Sequence, residues 1–141
     1  MSGRELKVLL IEDEENDYIW VRDMLSDIPS VKFHLDWIST YEEAKAEICR
    51  SRHDVFLIDY RLGARDGLEL LRDVMEAGCK VPIIFLTGQG DYGVDIEAMK
   101  AGAADYLVKS QINADLRRIL HCIHNRCFIL IFPISSRTVR F

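Results

Sequence analysis

The sequence predicts an α/β domain, a doubly wound five-stranded parallel sheet, and three observations carry that prediction. Short apolar runs alternate with helical patterns at a regular pace, which is the signature of βα units covering a sheet on both faces. Four strand candidates end on a reactive polar residue: KVLLIED on Glu12 and Asp13, VFLID on Asp59, VPIIFLT on Thr87 and DYLVK on Lys109. In a parallel sheet those ends share one edge, where open sheets bind their ligands. Connections this short make right-handed crossovers, so strands laid in plain sequence order would leave one face bare.

In chain order, the strands are expected at Lys7 to Glu12, Lys32 to Ile38, Asp54 to Ile58, Val81 to Leu86 and Asp105 to Val108. The second alternates Phe33, Leu35 and Trp37 with His34 and Asp36, which suits a sheet edge. Between strands, apolar residues recur at helical period: Val21, Met24, Leu25 and Ile28; Tyr41, Ala44 and Ile48; Leu68, Leu71, Val74 and Met75; Val94, Ala98 and Ala101. Leu116, Ile119, Leu120 and Ile123 close the series, with Asn113 as N-cap. Thr40 with Glu43, and Asp66 with Glu69, have capping-box spacing. Gly78 and Gly102 stand where a helix ends on a left-handed residue.

With 141 residues and 49% hydrophobic content the chain can bury one substantial core. A single domain is expected over residues 1–126, with an apolar tail or truncated linker over 127–141. The net charge of -5 supplies no basic footprint for nucleic acid or an acidic membrane. Cys49, Cys79, Cys122 and Cys127 form no C-x-x-C pair and no dense scaffold, which suits a reduced, cytoplasmic protein. Glu12 and Asp13 interrupt the first apolar run before it reaches signal-peptide length, and no segment nears the roughly 20 apolar residues of a membrane span.

Carboxylates gathered at one sheet edge repel, and Glu12, Asp13 and Asp59 stay close only where a proton or cation compensates them. An all-oxygen set points to a hard ion. Magnesium (Mg2+) fits best, because it accepts one or two carboxylates, a backbone carbonyl and several waters while leaving room for a phosphoryl oxygen. Aspartate attacks phosphorus to form an acyl phosphate when the phosphoryl oxygens are neutralised. Here a metal on Asp13 and Glu12 would take one oxygen, the Lys109 ammonium a second, and the Thr87 hydroxyl with backbone amides near Gly88 a third. Gly88 matters because a small residue lets the backbone approach the phosphate. Each residue alone has a plainer reading: helix-dipole acids for Glu12 to Glu15, a turn former for Asp59, a strand terminator for Thr87, a solvated lysine for Lys109. Those readings leave their coincidence at one end of successive strands unexplained.

IEDEEND after the first strand, LIDYRLGARDGLELL around Asp59, FLTGQGD around Thr87 and AMKAGAADYLVKS around Lys109 resemble the motifs of a known family in order and spacing. That family is the response regulator receiver domains of two-component signalling, and the resemblance runs over roughly Lys7 to Arg126. It implies a (βα)5, flavodoxin-like fold of strand order 2-1-3-4-5 that accepts phosphate from a histidine kinase or histidine phosphotransfer protein. By position it implies Asp59 as phosphoacceptor, Asp13 as direct magnesium ligand, Glu12 as ligand through water and the Arg61 backbone carbonyl as a further ligand. Lys109 and Thr87 complete the implied catalytic set. Thr87 and Tyr106 are the implied switch pair, altering the surface of the fourth helix, fifth strand and fifth helix. Such a domain is not otherwise an enzyme: it catalyses only its own phosphorylation and dephosphorylation. Ser110 departs from the proline usual after the lysine, where a cis bond would cost a non-proline residue about 2.5 to 4 kcal/mol.

The expected downstream partner is an output domain or protein, with the chain either stand-alone or cut from a multidomain signalling protein. The tail run CFILIFPI is expected either to join two copies, as that helix and strand surface would, or to pack back on the domain. HCIHNRC, with His121, Cys122, His124 and Cys127, matches no familiar zinc spacing and reads as ordinary helix surface. Two other classes fit less well. A haloacid dehalogenase-type phosphatase needs a second acid where Arg61 stands, and a flavodoxin-like flavin module needs a phosphate loop where EDEEND would repel its ligand.

Overall fold

The computed structural model describes residues 4–29, 31–88 and 93–109. The elements run β1 (Arg4–Ile11), α1 (Glu15–Ser26), β2 (Val31–Ile38), α2 (Tyr41–Cys49), β3 (Val55–Asp59), β4 (Arg61–Leu62), β5 (Arg65–Asp66), α3 (Gly67–Glu76), β6 (Ile83–Thr87), α4 (Val94–Ala101) and β7 (Asp105–Val108). Five strands pair in parallel in the order β2-β1-β3-β6-β7, which is the expected 2-1-3-4-5 order once the separate β4–β5 hairpin is set aside. The Asn113 cap, the last helix, the HCIHNRC run, Ser110 and the tail lie outside the described residues.

Strand alternation divides the core in two. Leu9, Ile11, Phe56, Ile58, Ile83 and Phe85 pack with α2, α3 and α4, whereas Val8, Leu10, Val55, Leu57, Ile84, Leu86 and Leu107 pack with α1. β3 and β6 are buried along their whole length, so they read as continuous apolar runs, and the alternating β2 sits at an edge as its pattern requires. Thr40 and Asp66 accept the amides of Glu43 and Glu69, as their spacing predicts. Gly78 and Gly102 take left-handed φ values of 93° and 115° after α3 and α4. Leu70 is fully buried beside Leu71, so α3 hides a wider stripe than its period assigned.

Four of the five sheet strands differ in their bounds from expectation: β2 starts at Val31 and β3 runs Val55–Asp59, each moved by one residue. β1 runs from Arg4 and stops at Ile11, which puts Glu12 past the ladder. β6 starts at Ile83, because Pro82 has no amide to donate to a ladder, and it extends through Thr87. The β4–β5 hairpin was not anticipated: Leu62 pairs with Arg65 across a two-residue turn whose Gly63 has φ 66°. Among the described residues no helix is long and apolar enough to cross a membrane.

Candidate functional site

β1 lies between β2 and β3, so the connections leaving it and β3 diverge and open a crevice at their carboxyl ends. Glu12 and Asp13 follow β1, Asp59 ends β3, and the pairing of Ile11 with Ile58 sets Glu12 beside Asp59. One carboxylate oxygen from each of Glu12, Asp13 and Asp59 falls within 4.8 Å of the others. Glu12 and Asp59 are buried, at 1% and 3% exposure, and Asp13 opens to solvent. Three hard oxygen donors with one face open suit a small divalent cation that keeps several waters.

Backbone contacts fix the acidic turn. The Glu12 amide donates to the Ile38 carbonyl at 3.1 Å, and the Trp37 indole donates to the Glu12 carbonyl at 2.6 Å. Trp37 is held by stacking on Tyr18, with ring centroids 4.5 Å apart. Glu12 Oε2 accepts the Glu14 amide at 3.2 Å and so satisfies a donor at the start of α1, where Glu14 itself makes no side-chain cap.

Lys109 brings the carboxylates together. Its ammonium lies 3.0 Å from Glu12 Oε1, 2.9 Å from Asp59 Oδ1 and 2.7 Å from Asp17 Oδ2. An ammonium carries three hydrogens, and among the described residues three carboxylates are in reach of them. Alternation explains the company: Lys109 continues the face of Leu107, which packs with α1, and Asp17 stands in the first turn of α1.

Burial is the first cause of the shifted acidities. It and the neighbouring Asp59 charge raise Glu12 from 4.5 to about 7, against the opposing pull of Lys109. Burial also raises Asp59, although Lys109 and the Arg61 amide, 3.1 Å from Oδ2, favour its charged form. For Lys109 burial alone would lower the value, but the hydrogen bonds to Asp17 and Asp59 outweigh it and the net shift is upward. The lysine is therefore a firm cation at neutral pH.

Thr87 and Tyr106 fall on the α4 side of the sheet, in step with Phe85 and away from the Lys109 face. The buried Thr87 hydroxyl donates to the Leu107 carbonyl at 3.5 Å, Tyr106 is half-buried against the α4-side core, and Gly88 follows Thr87 directly. Arg61 opens the β4–β5 hairpin, whose Gly63 would place a Cβ 3.9 Å from Asp13 Oδ2, so the hairpin walls the acidic crevice.

Gly67 is a residue the sequence reading missed. A Cβ there would meet the Asp59 carbonyl oxygen at 2.2 Å, because α3 starts directly against the end of β3 and the Gly67 amide donates to Tyr60 O at 2.7 Å. Gly67→Ala should destabilise the fold by about 1–3 kcal/mol in urea denaturation, the usual range for overpacking. An unchanged midpoint would show that strand and helix can separate there without strain.

A family model of the response regulator receiver domain matches residues 8–121. The chain belongs to that family. This receiver is 32% identical over 123 residues to the two-component response regulator PhoP of Pseudomonas aeruginosa, covering 80% of this chain and 52% of PhoP. It is 35% identical over 119 residues to the transcriptional regulatory protein TdiR of Thauera aromatica, covering 82% of this chain and 49% of TdiR. The chain thus spans about half the length of those relatives. Among solved structures it resembles FixJ-N, with TM-score 0.74 and 27% identity over 89% of this chain and 96% of that one. It also resembles the receiver domain of the Pseudomonas aeruginosa sensor histidine kinase PA1611, which has magnesium coordinated in its active site cleft. That match has TM-score 0.73 and 28% identity over 88% of this chain and 99% of the other.

Proposed function

We propose that the receiver accepts a phosphoryl group on Asp59 from a phosphohistidine of a histidine kinase or histidine phosphotransfer protein. The observation that carries this reading is the buried Asp59 carboxylate, 2.9 Å from the Lys109 ammonium and within a cluster of two further carboxylates. An Asp59 oxygen bonds to phosphorus as the phosphorus–nitrogen bond breaks, and the electron pair leaves with the imidazole. Lys109 neutralises one phosphoryl oxygen, and Thr87 with the amide side of Gly88 receives another. Asp13, Asp59 and the Arg61 carbonyl would hold magnesium directly and Glu12 through water; the ion supplies positive charge for the phosphoryl oxygens. Residues 1–126 form the functional unit in this reading.

Signalling follows from differential affinity. If the Thr87 hydroxyl leaves Leu107 for the phosphoryl group, space opens for the Tyr106 ring, and the surface of α4 and β7 changes. That surface then addresses an output domain or protein, on this chain or another.

Asp13→Asn tests the metal arm of the proposal. Removing one charged hard ligand should weaken magnesium binding by about tenfold or more and slow phosphorylation to match, while Asp59 remains in place. Titration of the intrinsic Trp fluorescence with magnesium measures it. Equal affinity in variant and wild type would reduce Asp13 to a helix-start acid.

A further inference from the structure

We propose that Asp17 is the positioning residue for Lys109, holding one hydrogen of the ammonium so that the others stay directed at Asp59 and the group it receives. The inference rests on the reading of Asp59 as phosphoacceptor. Of the three carboxylates on Lys109, Asp17 is the nearest, at 2.7 Å, and the contact joins residues 92 positions apart. It is also the one outside the cation-binding set: Glu12 and Asp59 belong to that cluster and Asp17 does not.

The difference matters when a cation arrives. A divalent ion shares the charge of Glu12 and Asp59 and repels the ammonium, so both of those holds on Lys109 weaken together. Asp17 lies outside that cluster, and among the described residues it is the carboxylate that then still opposes displacement of the lysine into solvent. Lys109 needs such a hold, since its side chain is 22% exposed and it stands just past the end of β7. A plainer role for Asp17 is to favour the α1 dipole from its first turn, as Glu15 does. That role explains neither the direction of its carboxylate nor the 2.7 Å contact.

The test is a double-mutant cycle on the full chain, with the rate of phosphorylation by acetyl phosphate at saturating magnesium followed by intact mass. Asp17→Ala should slow the reaction about tenfold, within the range that a misplaced catalytic group costs. Asp17→Asn keeps an acceptor oxygen and the helix start, so it should fall between Asp17→Ala and wild type, and it carries the test if the alanine variant does not fold. In a Lys109→Ala background, Asp17→Ala should produce no further loss. A wild-type rate in both Asp17 variants, with Lys109→Ala slow, would overturn the proposal while leaving the phosphoacceptor reading intact. So would an equal loss on removing Asp17 with and without the lysine, because a helix-start effect does not need Lys109. A wild-type chain that gains no phosphoryl group would instead overturn the reading on which both rest.

Discussion

Asp59→Asn should gain no phosphoryl group from acetyl phosphate and magnesium, whereas the wild-type chain should gain one. The amide is nearly the same size and keeps an oxygen to accept the Arg61 amide, so the site should stay folded. What it loses is the nucleophile: an amide oxygen does not form a stable acyl phosphate, even with the Lys109 ammonium in place to neutralise the incoming charge. Loss of the whole reaction, rather than a fractional slowing, is therefore the expected size of the effect. Intact-mass measurement over time decides it. A variant that still labels to full stoichiometry, on Asp13 or Glu12 for example, would sink the assignment of Asp59.

Without magnesium, the receiver should lose stability as pH rises from about 5 to 8, by up to about 3 kcal/mol from Glu12 alone. The sign follows from proton uptake. Glu12 is raised from 4.5 to about 7 in the fold, so between those values the folded chain binds more protons than the unfolded one. Its contribution is fully present below pH 4.5 and is lost as pH climbs through about 7. Asp59 is raised too and adds in the same direction. Magnesium should reverse the trend, since it favours the deprotonated carboxylates and stabilises the fold most where they are ionised. Urea denaturation from pH 5 to 8, in chelator and in magnesium, measures both slopes. Glu12→Gln should flatten the chelator curve, and a variant curve parallel to wild type would show that the slope arises elsewhere.

Much of this molecule was legible in its residues because the relevant signals are local. Apolar runs and helical periods placed the five sheet strands, and Thr40 and Asp66 marked two helix starts by a side chain and an amide three residues apart. The candidate site residues Glu12, Asp13, Asp59, Thr87 and Lys109 were singled out the same way, since parallel strands deliver their last residues to one edge whatever the details of packing. The β4–β5 hairpin was equally local and was missed: Gly63-Ala64 between two-residue strands is too brief to show alternation.

Tertiary structure decided the rest, at contacts between segments that no spacing rule connects. Asp17 stood unremarked at the end of the IEDEEND run until the α1 face of the sheet brought Lys109 to it across 92 positions. Trp37 read as an edge-strand core residue, although an indole N–H needs a partner when half-buried, and the fold supplies the Glu12 carbonyl. Gly67 read as part of a motif, and only the docking of α3 on β3 shows that a Cβ would strike the Asp59 backbone. The acidities of Glu12 and Asp59 belong to the same class, because desolvation depends on what covers a carboxylate and not on its neighbours in the chain. Sequence alone thus determined which groups reach the edge, through the period of the strands; packing determined which of them touch, how far each is removed from water, and so what charge each carries.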